Sequence, residues 1–225
     1  MKNLKDSYIY RFLKTAFGLF LCGTGGYFTM QANVGLAPWD SLNVGFSNIT
    51  GLIYGDVSII IGVIIIAVDL LVLKEKIGFG TLMNTVMYAK WVDLWNYVEL
   101  VPKQQDMIHG LPMLFFGMII MSFGMWIYMS GGMGCGPRDT FFVGVGKRFR
   151  KAPIGVVKAV IEVIVSIMGA LLGAKIGIGT IIFIFLQSSI LQLVFHITRF
   201  KARDVKHENF ADTVRNIKKR RETAA

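Results

Sequence analysis

Six long apolar stretches, at residues 12–30, 56–73, 81–101, 111–130, 154–173 and 179–200, constrain this chain more than any other feature. A helix crossing the hydrocarbon core of a bilayer needs roughly 20 mostly apolar residues. Within lipid every backbone N–H and C=O must bond inside its own segment, which leaves helices as the fold for runs of this length. The expectation is an all-α membrane protein with about six transmembrane helices. Composition agrees, since 54% of the residues are hydrophobic and only 17% charged. A soluble domain of this size would need more polar surface to cover its core. The first run lacks a small-x-small cleavage site and reads as a span rather than a cleaved signal.

The charges lie between the runs. A net charge of +10 could point to nucleic acid, but twenty of the 24 basic residues fall in alternate segments flanking the apolar runs, and only two in the intervening ones. Basic residues mark the cytoplasmic side. Both termini are therefore expected on the cytoplasmic side of a membrane crossed several times, with no nucleic-acid partner. Residues 201–225 read as a basic cytoplasmic tail. Its Lys218-Lys219-Arg220-Arg221 run is expected to lie against anionic lipid headgroups, and a cytosolic protein is the other partner it could dock.

The two halves match at an offset of 99 residues. Gly35-Leu36-Ala37-Pro38-Trp39-Asp40 aligns with Gly134-Cys135-Gly136-Pro137-Arg138-Asp139. Lys76-Ile77-Gly78-Phe79-Gly80-Thr81 aligns with Lys175-Ile176-Gly177-Ile178-Gly179-Thr180. Gly and Pro mark special backbone geometry, so their recurrence in register points to duplication. The units are then residues 1–10 as a cytoplasmic N-terminus, 11–101 as a first three-span repeat, 110–200 as a second, and the tail. Three spans carry the chain across, so the second repeat is expected to be inverted. Inverted repeats are a recurring plan of secondary transporters, with the site between the repeats near the midplane.

Candidate cavity-lining residues follow from charge at membrane depth. Pro38 and Pro137 suit the first turn of short helices over 38–50 and 137–150, too short to span and so interfacial or half-membrane. Asp40 and Asp139 then sit in those first turns. They serve either as caps favoured by the helix dipole or as carboxylates for a cation or donor. Lys90 and Asp93 share one face of the third span, and charges there are costly unless paired. Their equivalents Ser189 and Gln192, with Gln187 and Ser188, make the sixth span polar, and the two polar stretches are expected to face each other across the repeat interface. Glu162 follows Lys158 by four residues, a salt bridge or a protonatable coupling group. Asp69 needs no special explanation at the end of its span. Gly35, Gly134, Gly78, Gly80, Gly177 and Gly179 are the backbone positions of the repeat motif. No nucleophile–base pair, hydrolase or NTPase signature, metal-ligand spacing or cofactor motif occurs, so no catalytic, metal or cofactor site is expected.

The Gly35-x-x-Pro38-Trp39-Asp40-x-Leu42 run, Thr50-Gly51 and Gly78-x-Gly80-Thr81 resemble the bacterial YczE family, related to the YyaS/YitT group. The resemblance covers about residues 10–200 and implies a bacterial inner-membrane protein without an assigned activity. Arg138 stands where the first copy has Trp39, a difference put down to a cytoplasmic location. The reading that follows is a secondary transporter of an unidentified small solute, against a non-transporting scaffold that docks cytosolic partners. Convergence of Asp40, Asp139, Lys90, Asp93 and Gln187 on one cavity would separate the two.

Overall fold

Each apolar run becomes a helix, and each Gly–Pro segment starts a short one. The computed structural model describes residues 8–149, 151–201, 205 and 208–210. Among them the chain forms eight α-helices and no strand: α1 (Tyr8–Gln31), α2 (Pro38–Thr50), α3 (Tyr54–Leu71), α4 (Phe79–Val98), α5 (Met107–Met129), α6 (Pro137–Arg148), α7 (Ile154–Leu171) and α8 (Ile178–Ile197). Of these, α3, α5, α7 and α8 are long and apolar enough to cross a bilayer. Ile64, Ile119, Ile164 and Phe185 are exposed on their outward faces. A soluble protein rarely leaves so much contiguous apolar surface bare.

Pro at the first position of α2 and α6 presets φ and gives up an N–H that would go unbonded there anyway. α2 stops at Gly51, whose φ of +72° is left-handed and whose N–H reaches Ser47 O at 2.9 Å. α6 ends at Arg148, two residues short of the expected limit. α5 begins at Met107, earlier than expected, because Asp106 caps it by accepting from the His109 N–H at 2.8 Å. That bond and the His109 imidazole hold the Asp106 carboxyl below its ordinary value.

The centre of the molecule is the antiparallel crossing of α1 and α5, built on reciprocal glycines. A Cβ on Gly18 would come within 2.7 Å of Gly124 O, and one on Gly124 within 2.7 Å of Gly18 O. Gly25 and Gly117 mirror this at 2.6 and 2.7 Å. Without a hydrophobic drive between helices in lipid, close backbone approach through small residues supplies the contact. Packing then spreads outward: α4 lies along α1 and α8 along α5, α3 packs on α4 and α7 on α8, α2 on α7 and α6 on α3.

Bonds that tie the two halves together recur 99 residues apart. Thr81 Oγ1 donates to Cys135 O at 2.6 Å, and Thr180 Oγ1 to Leu36 O at 2.7 Å. The Gly80 N–H meets Met133 O at 2.6 Å, and the Gly179 N–H meets Val34 O at 2.9 Å. Gly78 and Gly177 precede α4 and α8, where their N–H groups meet the Thr81 and Thr180 hydroxyls. Gly35 and Gly134 have φ of +126° and +119°, a region where L side chains are strained. The repeat glycines are thus the places where one half's loop lies against the other half's helix start.

Within the segment read as a basic tail, residues 208–210 bond to the helical body. Glu208 pairs with Arg11 at 2.7 Å, its N–H reaches Gly132 O, and the Phe210 N–H reaches Ile77 O. Lys2, Lys5, Arg150, Arg203, Lys206, Arg215 and the Lys218-Lys219-Arg220-Arg221 run lie outside the described residues.

Candidate functional site

The first turns of α2 and α6 end at one cavity of about 130 Å³, at mid-length of α1 and α5. Its walls include Cys22 and Met121 from the crossing helices, Trp39 and Asp40 from α2, and Arg138 and Asp139 from α6. The segments expected on opposite faces of the membrane therefore meet, because each short helix dips into the bundle and points its N-terminus inward.

Asp40 is 1% exposed and lies in the first turn of α2. No side chain caps that helix, so the carboxylate is not an N-cap. Instead its Oδ1 accepts from the Tyr54 hydroxyl at 2.7 Å and lies 3.5 Å from the Tyr88 hydroxyl. Asn43 donates to Tyr54 at 3.3 Å, extending the network. Arg138 reaches Asp40 at 3.8 Å, with its guanidinium 5.3 Å from the Trp39 ring centroid and 5.8 Å from that of Tyr88. Arg138 is thus a cavity wall and a counter-ion for Asp40, which corrects its reading as a mere cytoplasmic charge. Asp139 is half-buried and accepts from Tyr128 at 2.8 Å. Tyr128 also accepts the Gly136 N–H at 3.3 Å. No side-chain cap bond is present on α6 either.

Lys90 and Asp93 do not join this cavity. Lys90 pairs with Asp56 at 2.7 Å and Asp93 at 3.5 Å near the start of α3, where Asp93 also accepts the Gly55 N–H at 2.8 Å. Gln187 is buried and donates to Ser122 at 3.1 Å. Ser188 accepts from Lys158 at 2.7 Å, and Lys158 lies 3.7 Å from the buried Glu162. The polar stretches of α4 and α8 therefore bond to different neighbours rather than to each other. Of the five groups expected to converge, Asp40 and Asp139 do.

A second cavity, about 640 Å³, is walled by Thr140, Phe142, Lys158, Ser188 and Leu191, and shares Met125 and Asp139 with the first. Exposed Lys76, Ile154 and Gln192 lie on its rim. The positions 99 residues earlier are shut: Ser41, Asn43, Ala89 and Val92, counterparts of Thr140, Phe142, Ser188 and Leu191, are fully buried. Asp139 lines both cavities, whereas Asp40, bonded to Tyr54, lines the smaller one.

Tyr54, Tyr88, Tyr128 and Arg138 were not legible as site residues from the sequence. A tyrosine amid apolar residues is a weak signal, because its hydroxyl needs a partner when buried but the sequence does not say which. Asp69, passed over in the sequence, is fully buried, and neither carboxylate oxygen has a hydrogen-bond partner among the described residues.

Comparison with known proteins agrees with the resemblance read from the motifs. A family of unknown function, DUF6198, matches residues 9–196. The chain is 25% identical to the uncharacterized membrane protein YczE of Bacillus subtilis over 190 residues, covering 84% of this chain and 87% of the relative. It is 29% identical to an uncharacterized protein of Haemophilus influenzae over 181 residues, 80% and 81% of the two chains. It is 21% identical to the uncharacterized protein YyaS of Bacillus subtilis over 184 residues, 81% and 91% of the two. No solved structure matches the chain. With its apolar helices, the likeness to a membrane protein makes this a multi-pass integral membrane protein.

Proposed function

The chain belongs to the DUF6198 family, a family of unknown function, and from that premise we propose that it is a secondary transporter of a small solute, built from two inverted three-span repeats. The observation that carries the reading is that Asp40 and Asp139, matching residues 99 apart, line one cavity between the halves. The six crossings would be α1, α3, α4, α5, α7 and α8. In support, α1 runs antiparallel to α5 through the reciprocal glycine contacts. α4 lies alongside α1, as Phe12 meets Phe79 at one end and Thr24 meets Trp95 towards the other. The loop bonds repeated at 99 residues support a twofold relation between the halves.

Basic residues support a cytoplasmic assignment for the end bearing Arg11 and Lys147. On that assignment the larger cavity opens to the cytoplasm of a bacterial inner membrane and the opposite path is closed. Exchange of the two halves' conformations would open the other side, the usual logic of inverted repeats. Charged side chains inside a membrane bundle mark substrate or ion pathways, and a cavity walled by Asp40, Arg138 and Asp139 favours a carrier over a scaffold.

The test is uptake of radiolabelled cationic, anionic and neutral small solutes into vesicles holding the purified protein. At least one solute should enter above protein-free vesicles. Asp139→Asn should cut that uptake at least tenfold with little change in melting temperature, since Asn keeps the size of Asp and an acceptor for Tyr128. Asp40→Asn should cut it as far but also lower the melting temperature, because Arg138 loses its counter-ion. Absence of uptake for the whole panel would remove the transporter reading.

A further inference from the structure

The central cavity contains a cation already, but only on one half. Arg138 stands against Asp40 with its guanidinium over the Trp39 and Tyr88 rings. This is an arrangement of carboxylate and aromatic faces that suits an organic cation. The 99-residue relation exchanges Asp40 with Asp139 and Trp39 with Arg138. The position matching Arg138 is thus Trp39, which lines the same cavity as Asp139, and among the described residues no basic side chain lies within ion-pair distance of Asp139. Its one side-chain hydrogen bond there comes from Tyr128. Asp40, Asp139 and Arg138 are the formally charged residues lining the cavity, and together they leave one negative charge.

Two further observations narrow the occupant. The Trp39 indole N–H is buried without an acceptor among the described residues, and the ring forms part of the cavity wall. A ligand oxygen beside it would supply the missing acceptor. The remaining wall includes Met121, Met125 and Phe183. Oxygen-bearing Ser58, Asn84, Thr85, Tyr88 and Tyr128 also line it, but the apolar share suits a cation with a carbon chain better than a bare hard ion, which wants about six or more oxygen ligands. At about 130 Å³ the space equals roughly four waters at ~30 Å³ each.

We propose that the cavity binds a small organic ammonium carrying a hydroxyl or carbonyl oxygen, with Asp139 as counter-charge and the Trp39 indole N–H on the oxygen. The ligand completes on the second half the ion pair that Arg138 makes on the first. It reaches Asp139 through the larger cavity, where Asp139 also forms part of the wall. This rests on the transporter reading for its purpose, though binding is measurable without it.

The experiment is calorimetric titration of the detergent-purified full chain with ethanolamine, with acetate and ethylene glycol as controls of similar size. Ethanolamine should bind saturably and the controls should not. Asp139→Asn keeps an acceptor for Tyr128 and should weaken binding at least tenfold, whereas Arg138→Gln removes a like charge from the wall and should tighten it. Trp39→Phe keeps a ring and should weaken ethanolamine several-fold without affecting ethylamine, which has no oxygen. Acetate binding that Arg138→Gln abolishes would overturn the cation assignment, as would ethanolamine binding indifferent to Asp139→Asn or no binding by any probe. Uptake into vesicles separates the two claims. Ethanolamine binding with no uptake of any solute in the panel removes transport and keeps the site, while uptake of only anionic or neutral solutes keeps transport and removes the cation.

Discussion

Arg138 and Trp39 occupy matching positions in the two halves of the chain and touch, the guanidinium 5.3 Å from the indole centroid. The matching position is charged in one half and aromatic in the other, and both side chains line the central cavity. Cys22 and Met121 repeat the relationship, 99 residues apart and joined by a bond from Sγ to the Met121 carbonyl at 3.7 Å.

The α1–α5 crossing should be intolerant of bulk. Gly25→Leu or Gly117→Leu is expected to cost about 1–3 kcal/mol through overpacking. The double variant should cost less than the sum, because each residue blocks the same approach. Ile119→Leu on the outward face is the neutral control. Thermal unfolding in detergent reads all four.

Tyr54→Phe removes the shortest hydrogen bond to Asp40. Leaving that buried carboxylate short of a donor should cost about 1–3 kcal/mol. Tyr97→Phe, whose ring is 87% exposed, should leave the melting temperature unchanged. Equal effects would mean that Tyr54 does not hold Asp40.

Two truncations should differ. Ending the chain after Phe210 keeps the Arg11–Glu208 pair and the bonds to Gly132 and Ile77, whereas ending it after Val205 removes them. The shorter form is expected to be less stable by about 1–3 kcal/mol, at roughly 0.5–1.5 kcal/mol per lost hydrogen bond. Matching melting curves would show that residues 208–210 contribute nothing.

Access should be one-sided. On a background without Cys22 and Cys135, a cysteine replacing Ser188 should react with a membrane-impermeant thiol reagent from the face bearing Lys147, and one replacing Ala89 should stay unreactive. A cysteine replacing Gln104 should react from the opposite face. Labelling at positions 188 and 104 from the same side would contradict the six-crossing arrangement.

Asp106 gives a pH signature. Its folded-state carboxyl is held below the ordinary value by His109, so its contribution is present above the ordinary carboxylate pKa of about 3.9. It is lost as pH falls through the lower folded value. Asp106→Ala should therefore melt earlier than the parent at pH 6, and the gap should close only below about pH 4. A gap that persists undiminished well below that would rule out the carboxylate as its source.

Much of the helical plan could be read directly. The apolar runs announced the long helices within a few residues, because a run of some 20 apolar residues has few other ways to bond its backbone. Pro38 and Pro137 named the starts of α2 and α6, since proline at the first helical position is a local preference. Gly35, Gly78, Gly134 and Gly177 marked the tight loops for the same local reason. The site was legible only in part. Asp40 and Asp139 stood out as charges in repeated motifs, but the tyrosines that hold them come from α3, α4 and α5, and no local pattern ties a tyrosine to an aspartate on another helix.

The sequence by itself determined the helices, the membrane setting and the 99-residue correspondence, all properties of local composition and spacing. Only the tertiary structure decided that α2 and α6 turn inward to one cavity, that Lys90 pairs with Asp56 and Asp93 outside it, and that one path to the centre is open while its counterpart is filled. The reason is that partner choice among buried polar groups depends on which helix faces are brought within about 3 Å of each other. Close packing of α1 on α5 sets that, and the order of residues along either helix does not.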